Sequence, residues 1–198
     1  MRIFLTDLQI AADMTEKLTA SLPAEHRHRA GNLAATVGFH LVRYALHQIT
    51  PEADADRWIF GANGKPHLMA GKPFFNLSHS HHGVAVAVSD ITEVGVDLEE
   101  VKARPFKFTQ RYFTEQEQNA VESAEDPTDE IVRIWTAKEA AAKLQGTGID
   151  RNFRNIPTNG VENTHISIHG IPHWLAVAPT CGHLEIEWIN AEQLLFDI

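Results

Sequence analysis

Two carboxylates alternate with apolar residues in the stretch 95–99, which reads Gly-Val-Asp-Leu-Glu. This period of two predicts a β-strand, which places Asp97 and Glu99 on one face with their Cβ atoms about 7 Å apart. Two like charges at that separation repel each other unless a cation, a proton or water lies between them. The stretch is therefore interpreted either as half of a cation site or as the solvated face of an edge strand.

A second set of charged residues lies in the segment 135–143, Trp-Thr-Ala-Lys-Glu-Ala-Ala-Ala-Lys. Its Ala, Glu and Lys content favours a helix. Asp126 is placed to cap the start, ahead of a proline, and Gly146 is placed to end the helix. The spacing of four puts Glu139 and Lys143 on one stripe, and such pairs commonly only stabilise an exposed helix.

If this helix meets the strand, Asp97, Glu99, Glu139 and Lys143 converge on one site. Three carboxylates and a lysine would suit a divalent metal ion bound to phosphate. Lys138 points about 100° around the helix from Glu139, toward either phosphate or solvent.

The remaining apolar patterns predict further strands and helices around these two elements. We expect a strand at 1–8, helices at 11–22 and 30–49, a strand buried on both faces at 83–89, and a helix opened by the capping box 114–117. Three strand-like runs, 165–169, 174–178 and 184–189, predict an antiparallel meander.

Composition excludes several classes of protein. The 198-residue chain has a formal net charge of −9, which makes a general nucleic-acid-binding surface implausible. Its single cysteine, Cys181, allows neither an internal disulfide nor a cysteine zinc site. We find no membrane-spanning run, and residues 1–7 lack the layout of a signal peptide, so we expect a cytoplasmic protein without membrane contact.

Two more motifs precede the strand and the helix: Gly-Lys-Pro at 64–66 and Phe-Asn-Leu-Ser-His-Ser at 75–80. In this order and spacing, the four motifs resemble those of the 4′-phosphopantetheinyl transferases of the surfactin-synthetase type. The resemblance covers roughly residues 60–150 closely and the tail loosely. It implies an α+β fold of two similar lobes in a pseudo-twofold arrangement, here 1–92 and 93–198, with coenzyme A between them and the chain as a monomer.

The resemblance also implies the reaction of a holo-[acyl-carrier-protein] synthase. The enzyme transfers 4′-phosphopantetheine from coenzyme A to a serine of an apo acyl or peptidyl carrier protein and releases adenosine 3′,5′-bisphosphate. Asp97, Glu99 and Glu139 are expected to hold Mg²⁺, with Mn²⁺ as a possible substitute. The base is either Glu139 or a metal-bound water positioned by Glu99, and Lys143 stabilises or protonates the leaving phosphate. The alternative is a non-catalytic relative that binds coenzyme A or a carrier protein.

Five residues are expected to bind the cofactor by resemblance: Lys65, Pro66, Ser78, His79 and Arg29. Lys65 would lie beside the adenine and the ribose phosphate, and Ser78 and His79 would donate hydrogen bonds to the 3′-phosphate. The chain departs from the family at one position.

At that position the family often has an arginine early in the second helix, whereas this chain has Ala34. Arg27 or Arg29 is expected to replace it. Residues 102–111, termed the basic segment, carry four basic and no acidic side chains. The segment is interpreted as a docking patch for an acidic carrier protein, with Phe106 or Phe108 as an apolar anchor, or as a solvated loop.

Overall fold

The computed structural model describes residues 1–27, 31–182 and 184–195. The strands are β1 (Arg2–Asp7), β2 (Trp58–Phe60), β3 (Pro66–Leu68), β4 (Phe74–His79), β5 (Gly83–Ser89), β6 (Gly95–Glu100), β7 (Glu162–Ile168), β8 (Ile171–Ala178) and β9 (Ile186–Trp188). The helices are α1 (Leu8–Ala12), α2 (Thr15–Ala20), α3 (Ala24–Arg27), α4 (Leu33–Ile49), α5 (Phe106–Tyr112), α6 (Glu115–Ser123) and α7 (Pro127–Gln145). None of the helices in these ranges is long and apolar enough to cross a membrane.

Two sheets pack face to face, and each carries a helix on its outer side. The first sheet has the strand order β4-β5-β1-β9, and the second has the order β6-β8-β7. Helix α4 packs through Val37 and Leu41 on the outer face of the first sheet. Apolar side chains of β1 and β5 meet those of β6 and β8 between the sheets. The predicted α+β class is confirmed, while the pseudo-twofold arrangement stays a prediction.

Strand β6 and helix α7 match the sequence predictions closely. The carboxylate of Asp126 accepts hydrogen bonds from two backbone N–H groups in the first turn of α7, and Pro127 occupies the first helical position. Gly146 ends the helix with φ of 69°, a left-handed conformation that glycine adopts without steric cost. The capping box that starts at Thr114 is also present and opens α6.

The predicted antiparallel meander is wrong for its third strand. Strands β7 and β8 form an antiparallel hairpin, but β9 pairs in parallel with β1 in the first sheet. The open edge of β1 explains this choice, because the N–H of Ile189 donates to the carbonyl of Leu5 and Arg2 pairs with Glu187 at 2.6 Å. These contacts join the two ends of the chain, which local sequence patterns do not report.

The predicted helix at 11–22 is interrupted. Helix α1 begins earlier, because Asp7 accepts a hydrogen bond from the N–H of Gln9 and caps it. A turn at residues 13 and 14 then separates α1 from α2. The break allows Leu18 to pack with Leu41 in the core beneath α4.

The edges of the two sheets meet along β4 and β6, and α7 packs against β6. The side-chain oxygen of Asn76 on β4 accepts the N–H of Val96 on β6 at 2.9 Å. Gly95 faces the backbone of α7 so closely that an added Cβ would collide with the carbonyl of Ala140 and the N–H of Leu144. This junction of β4, β6 and α7, termed the seam, positions the charged residues described below.

The closeness of Gly95 to α7 generates a stability prediction. Replacing Gly95 with alanine should lower the free energy of unfolding by about 2 to 3 kcal/mol, because the backbone of a packed helix cannot yield to the new methyl group. Gly160→Ala is the matched control, since nothing lies within 4 Å of the Cβ that it would add. Urea unfolding of both variants measures the difference. Equal stability of the two variants would contradict the tight contact.

Candidate active site

The seam holds Asp97 at the centre of a small polar network. Asp97 is only 3% exposed. Its Oδ1 atom accepts from the ammonium of Lys143 on α7 at 2.7 Å and from the hydroxyl of Ser78 on β4 at 2.8 Å. The Lys143 ammonium also donates to the Ser78 oxygen at 2.8 Å. Three elements therefore contribute one charged or polar group each, and they meet at a single carboxylate oxygen.

Glu99 lies on the same face of β6 and makes two polar contacts. The indole N–H of Trp135 donates to one carboxylate oxygen at 3.1 Å, and the guanidinium of Arg104 donates to the other at 2.7 Å. Burial and the nearby charge of Asp97 raise the pKa of the Glu99 carboxyl. The sequence interpretation missed the role of Arg104, whose position five residues after Glu99 was the available signal.

Glu139 completes the group of acidic side chains. Burial, followed by repulsion from Asp97, raises its pKa to about 7, although Lys143 acts in the opposite direction. Among the described residues we find no hydrogen bond or ion pair to the Glu139 carboxylate. A carboxyl group with this pKa is suited to accept and release protons near neutral pH.

The described part of the chain contains no group of three His, Cys, Asp or Glu side chains already arranged around a metal position. The side chains that face the seam nevertheless fit a hard divalent cation. The Oδ2 atom of Asp97 is buried without a partner, and burial, followed by repulsion from Asp97, raises the pKa values of Glu99 and Glu139. Carboxylate oxygens are the ligands that Mg²⁺ prefers, and a cation would relieve that repulsion.

Ser78 and His79, adjacent on β4, point to opposite sides of the strand, as period two requires. Ser78 is buried and bonds to Asp97, whereas the exposed His79 lines a cavity of about 820 Å³. The start of α4, including Ala34, lines another side of this cavity, and Lys102 lines a third. Ser78 therefore faces the buried network at Asp97, whereas His79 faces the larger cavity.

Lys65 and Pro66 line a second cavity of about 280 Å³, together with Lys143. The Lys65 ammonium does not point freely into it, because it pairs with Glu93 at 2.6 Å. It also donates to two backbone carbonyls, at 3.1 and 3.2 Å. The two cavities share no lining residue: Glu99 lines the larger one and Lys143 lines the smaller one.

The basic residues before α4 are only partly described. Arg29 lies outside the described residues, so its predicted role has no structural counterpart here. The guanidinium of Arg27 donates to the carbonyl of Leu22 at 3.1 Å, which ties it to the preceding turn. In this structure Arg27 serves local packing and does not reach the cavity beside Ala34.

Lys138 is not exposed to solvent, contrary to one of the two sequence-based expectations. Its side chain is fully buried, and its ammonium donates to both carboxylate oxygens of Glu117 at 2.9 and 3.0 Å and to the carbonyl of Arg154 at 2.8 Å. Glu117 also caps α6. Lys138 thus joins α7 to its neighbours in the core.

The basic segment is only partly free. Arg104 is committed to Glu99, and Phe108 packs against Trp135 with ring centroids 4.6 Å apart. Lys102, Lys107 and Arg111 remain exposed on the surface. The side chain of Phe106 lies outside the part that the structure describes. Of the two predicted apolar anchors, Phe108 is therefore half-buried in an aromatic cluster.

Comparisons with known proteins agree on one family. A family model described as the 4′-phosphopantetheinyl transferase superfamily matches residues 93–192. The chain is 36% identical over 141 residues to the 4′-phosphopantetheinyl transferase AcpT of Salmonella typhimurium, covering 69% of this chain and 68% of that protein. It is 36% identical to psf-1 of Bacillus pumilus, a 4′-phosphopantetheinyl transferase, over 57% of this chain and 50% of the relative.

A putative 4′-phosphopantetheinyl transferase of Synechocystis is 34% identical over 107 residues, which are 50% of this chain and 44% of that protein. The aligned region thus spans less than half the length of this cyanobacterial relative and about two thirds of the Salmonella relative. The residues matched by the family model include β6 and α7, the two elements that carry the acidic residues of the seam.

The raised pKa of Glu139 generates a pH-dependent prediction. A buried carboxyl group with a raised pKa favours the folded state only while protonated, so its contribution is complete below about pH 4.5 and is lost as the pH rises through about 7. Glu139→Gln mimics the protonated group. In buffer with EDTA, the unfolding free energy of the wild type should fall relative to this variant by about 2 to 3 kcal/mol between pH 4 and pH 8. Parallel pH profiles in urea unfolding would contradict this assignment.

Proposed function

The chain belongs to the 4′-phosphopantetheinyl transferase superfamily, and from this membership we propose that it transfers the 4′-phosphopantetheine arm of coenzyme A to a serine of an apo acyl or peptidyl carrier protein. One observation carries the proposal: Asp97, Glu99, Glu139 and Lys143 meet at the seam, and two of these residues, Glu99 and Lys143, each line a cavity. These are side chains that a phosphoryl-type transfer requires, because negative charge builds up on the pyrophosphate as the serine attacks.

In the proposed reaction the serine oxygen forms a bond to the β-phosphorus of coenzyme A. The bond from that phosphorus to the bridging oxygen breaks, and adenosine 3′,5′-bisphosphate leaves. Glu139 takes the serine proton as the proposed general base. The Lys143 ammonium stabilises the negative charge on the departing phosphate.

Asp97, Glu99 and Glu139 are the residues that would hold a divalent cation, with Mg²⁺ proposed and Mn²⁺ as its substitute. Such an ion acts as a Lewis acid that neutralises charge on the pyrophosphate. The unpartnered Oδ2 atom of Asp97 supports this role. Asp97 also orients Lys143, because the ammonium lies 2.7 Å from its carboxylate.

Coenzyme A is proposed to bind along the seam, with its 3′-phosphate in the larger cavity and its pyrophosphate beside the seam carboxylates and Lys143. His79 and Lys102 line that cavity and provide donors for anionic groups. Pro66 and Lys143 line the smaller cavity, which is open to a second part of the cofactor. A monomer is proposed as the working unit.

The carrier protein is proposed to dock on the basic segment. Lys102, Lys107 and Arg111 are exposed there, on a chain whose net charge is −9, so an acidic partner would be attracted to this patch and repelled elsewhere. The segment also contacts the seam, because Arg104 pairs with Glu99. Docking at this segment would therefore bring the serine next to the proposed base.

A non-catalytic relative that binds coenzyme A or a carrier protein is the second candidate. Ala34 favours it, since the family often has an arginine at this position and Ala34 lines the larger cavity. Retention of all three carboxylates and of Lys143 favours the enzyme, because binding alone does not require a lysine beside three carboxylates.

Intact-mass spectrometry of a carrier protein tests the function. An apo carrier incubated with this protein, coenzyme A and Mg²⁺ should gain the mass of one phosphopantetheine arm, and EDTA should prevent the gain. Acyl and peptidyl carriers are tested in parallel, with adenosine 3′,5′-bisphosphate followed by chromatography. Coenzyme A binding by calorimetry without any mass gain on these carriers would favour the non-catalytic relative.

Asp97→Asn should lower the transfer rate by at least about 100-fold, because the neutral amide neither holds a cation nor attracts Lys143. Calorimetry with Mn²⁺ should show binding to the wild type and a loss of at least about tenfold in affinity in the variant. Asp90→Asn is the control, since Asp90 is an exposed aspartate away from the seam. Retained transfer with Asp97→Asn would remove Asp97 from the mechanism.

Lys143→Met should lower kcat about 100-fold while the Kd for coenzyme A changes by less than about threefold, because its charge is required mainly as the leaving phosphate develops. Single-turnover mass spectrometry gives the rate, and calorimetry gives the Kd. The reverse pattern, with weak binding and normal turnover, would make Lys143 a binding residue only.

A further inference from the structure

Lys65 makes a set of contacts that differs from the cofactor-binding role implied by resemblance. Its ammonium pairs with Glu93 at 2.6 Å and donates to the carbonyls of Val94 at 3.1 Å and Leu144 at 3.2 Å. The Lys65 side chain is only 9% exposed. An ammonium has three N–H donors, and all three have acceptors within the protein. None remains for an anionic ligand without breaking one of these contacts.

The two carbonyls flank the proposed catalytic groups along the chain. Val94 immediately precedes β6, the strand that carries Asp97, and Leu144 immediately follows Lys143. One ammonium thus binds both the start of the Asp97 strand and the end of the Lys143 helix. It does so where β6 and α7 are in closest contact, at Gly95.

The last turn of α7 is a favourable place for such a contact. The final carbonyls of a helix lack partners within the helix and carry the negative end of its dipole, so a nearby cation stabilises them. Asn63, in the same turn as Lys65, adds two bonds from its side-chain amide, to the carbonyls of Gly146 at 2.7 Å and Thr147 at 3.3 Å.

We propose that Lys65 is a positioning residue that locks the end of α7 onto the start of β6 and so holds Lys143 at Asp97. Asn63 and Glu93 assist it, and the three residues form what is termed the latch. The kinetic consequence rests on the proposed transferase function, whereas the structural consequence does not. Small displacements of a reacting group cost large factors in rate, so loosening the latch reduces turnover more than ligand binding.

Three substitutions and a control test the latch kinetically. Lys65→Met and Glu93→Gln should each lower kcat about tenfold and leave the KM for coenzyme A within about twofold. Lys65→Arg should restore part of the rate, because a guanidinium can still donate to the carbonyls. Lys72→Met, which removes an exposed lysine, should behave as the wild type.

Glu93→Gln discriminates between the two roles of Lys65. A carboxylate does not bind an anionic cofactor, so a cofactor-binding Lys65 would leave the KM unchanged or lower when Glu93 is neutralised. A KM raised at least about tenfold in Lys65→Met, with normal kcat in both Lys65→Met and Glu93→Gln, would overturn the proposal.

Hydrogen–deuterium exchange tests the latch without any activity measurement. The N–H of Gly146 donates to Lys143 and that of Thr147 to Ala142. These two amides should exchange at least about tenfold faster in Lys65→Met, while amides of β5 keep the wild-type rate. Unchanged exchange at the end of α7 would overturn the latch even if transfer were observed, and faster exchange would support it even if no carrier were modified. Asn63→Ala gives the same readout with a milder change, should Lys65→Met fold poorly.

Discussion

The ion pair between Asp97 and Lys143 is the interaction on which the arrangement of this molecule depends. A buried carboxylate is costly unless an opposite charge and hydrogen bonds compensate for its lost hydration. Asp97 obtains the charge from α7 and a hydroxyl from β4, so three elements that are distant in sequence must meet at one point. A hydrogen bond from the N–H of Val96 to the side chain of Asn76 joins the same two strands, β6 and β4, next to Asp97. Residues of these three elements are among those that line the two cavities.

Electrostatic repulsion inside the seam is only partly relieved by the protein itself. Lys143 forms an ion pair with Asp97, and Arg104 forms one with Glu99. Glu139 is repelled by both carboxylates and has no ion pair or hydrogen bond of its own among the described residues. Burial raises the pKa values of Glu99 and Glu139, and repulsion from Asp97 raises them further, so both carboxyl groups favour a proton. A divalent cation would compensate for the same buried negative charge. Burial and repulsion together therefore account for the raised pKa values and support the proposed metal site.

The sequence predicted correctly those features that depend on residues close together in the chain. The alternation in β6 and the caps of α7, Asp126 and Gly146, depend on neighbours along the chain, and the structure confirms them. What failed depended on partners far away. Strand β9 pairs with β1 across the whole chain, and Lys138 is buried because Glu117 lies across from it. Similarly, the Gly-Lys-Pro motif alone does not predict that Lys65 pairs with Glu93, which lies 28 residues further along the chain.

Packing explains many of the residue types in the motifs at 95–99 and 135–143. Gly95 lets α7 approach β6, and Val96 fills the core between the sheets. Ala140 packs against the small side chains of β8. Such residues would be retained in a relative that had lost catalysis, so their presence does not separate an enzyme from a binding protein. Glu139 is different, because it fills no core, makes no hydrogen bond among the described residues and carries a pKa raised by burial and repulsion. A side chain that costs stability without packing or bonding is typical of a working active site, which favours the transferase.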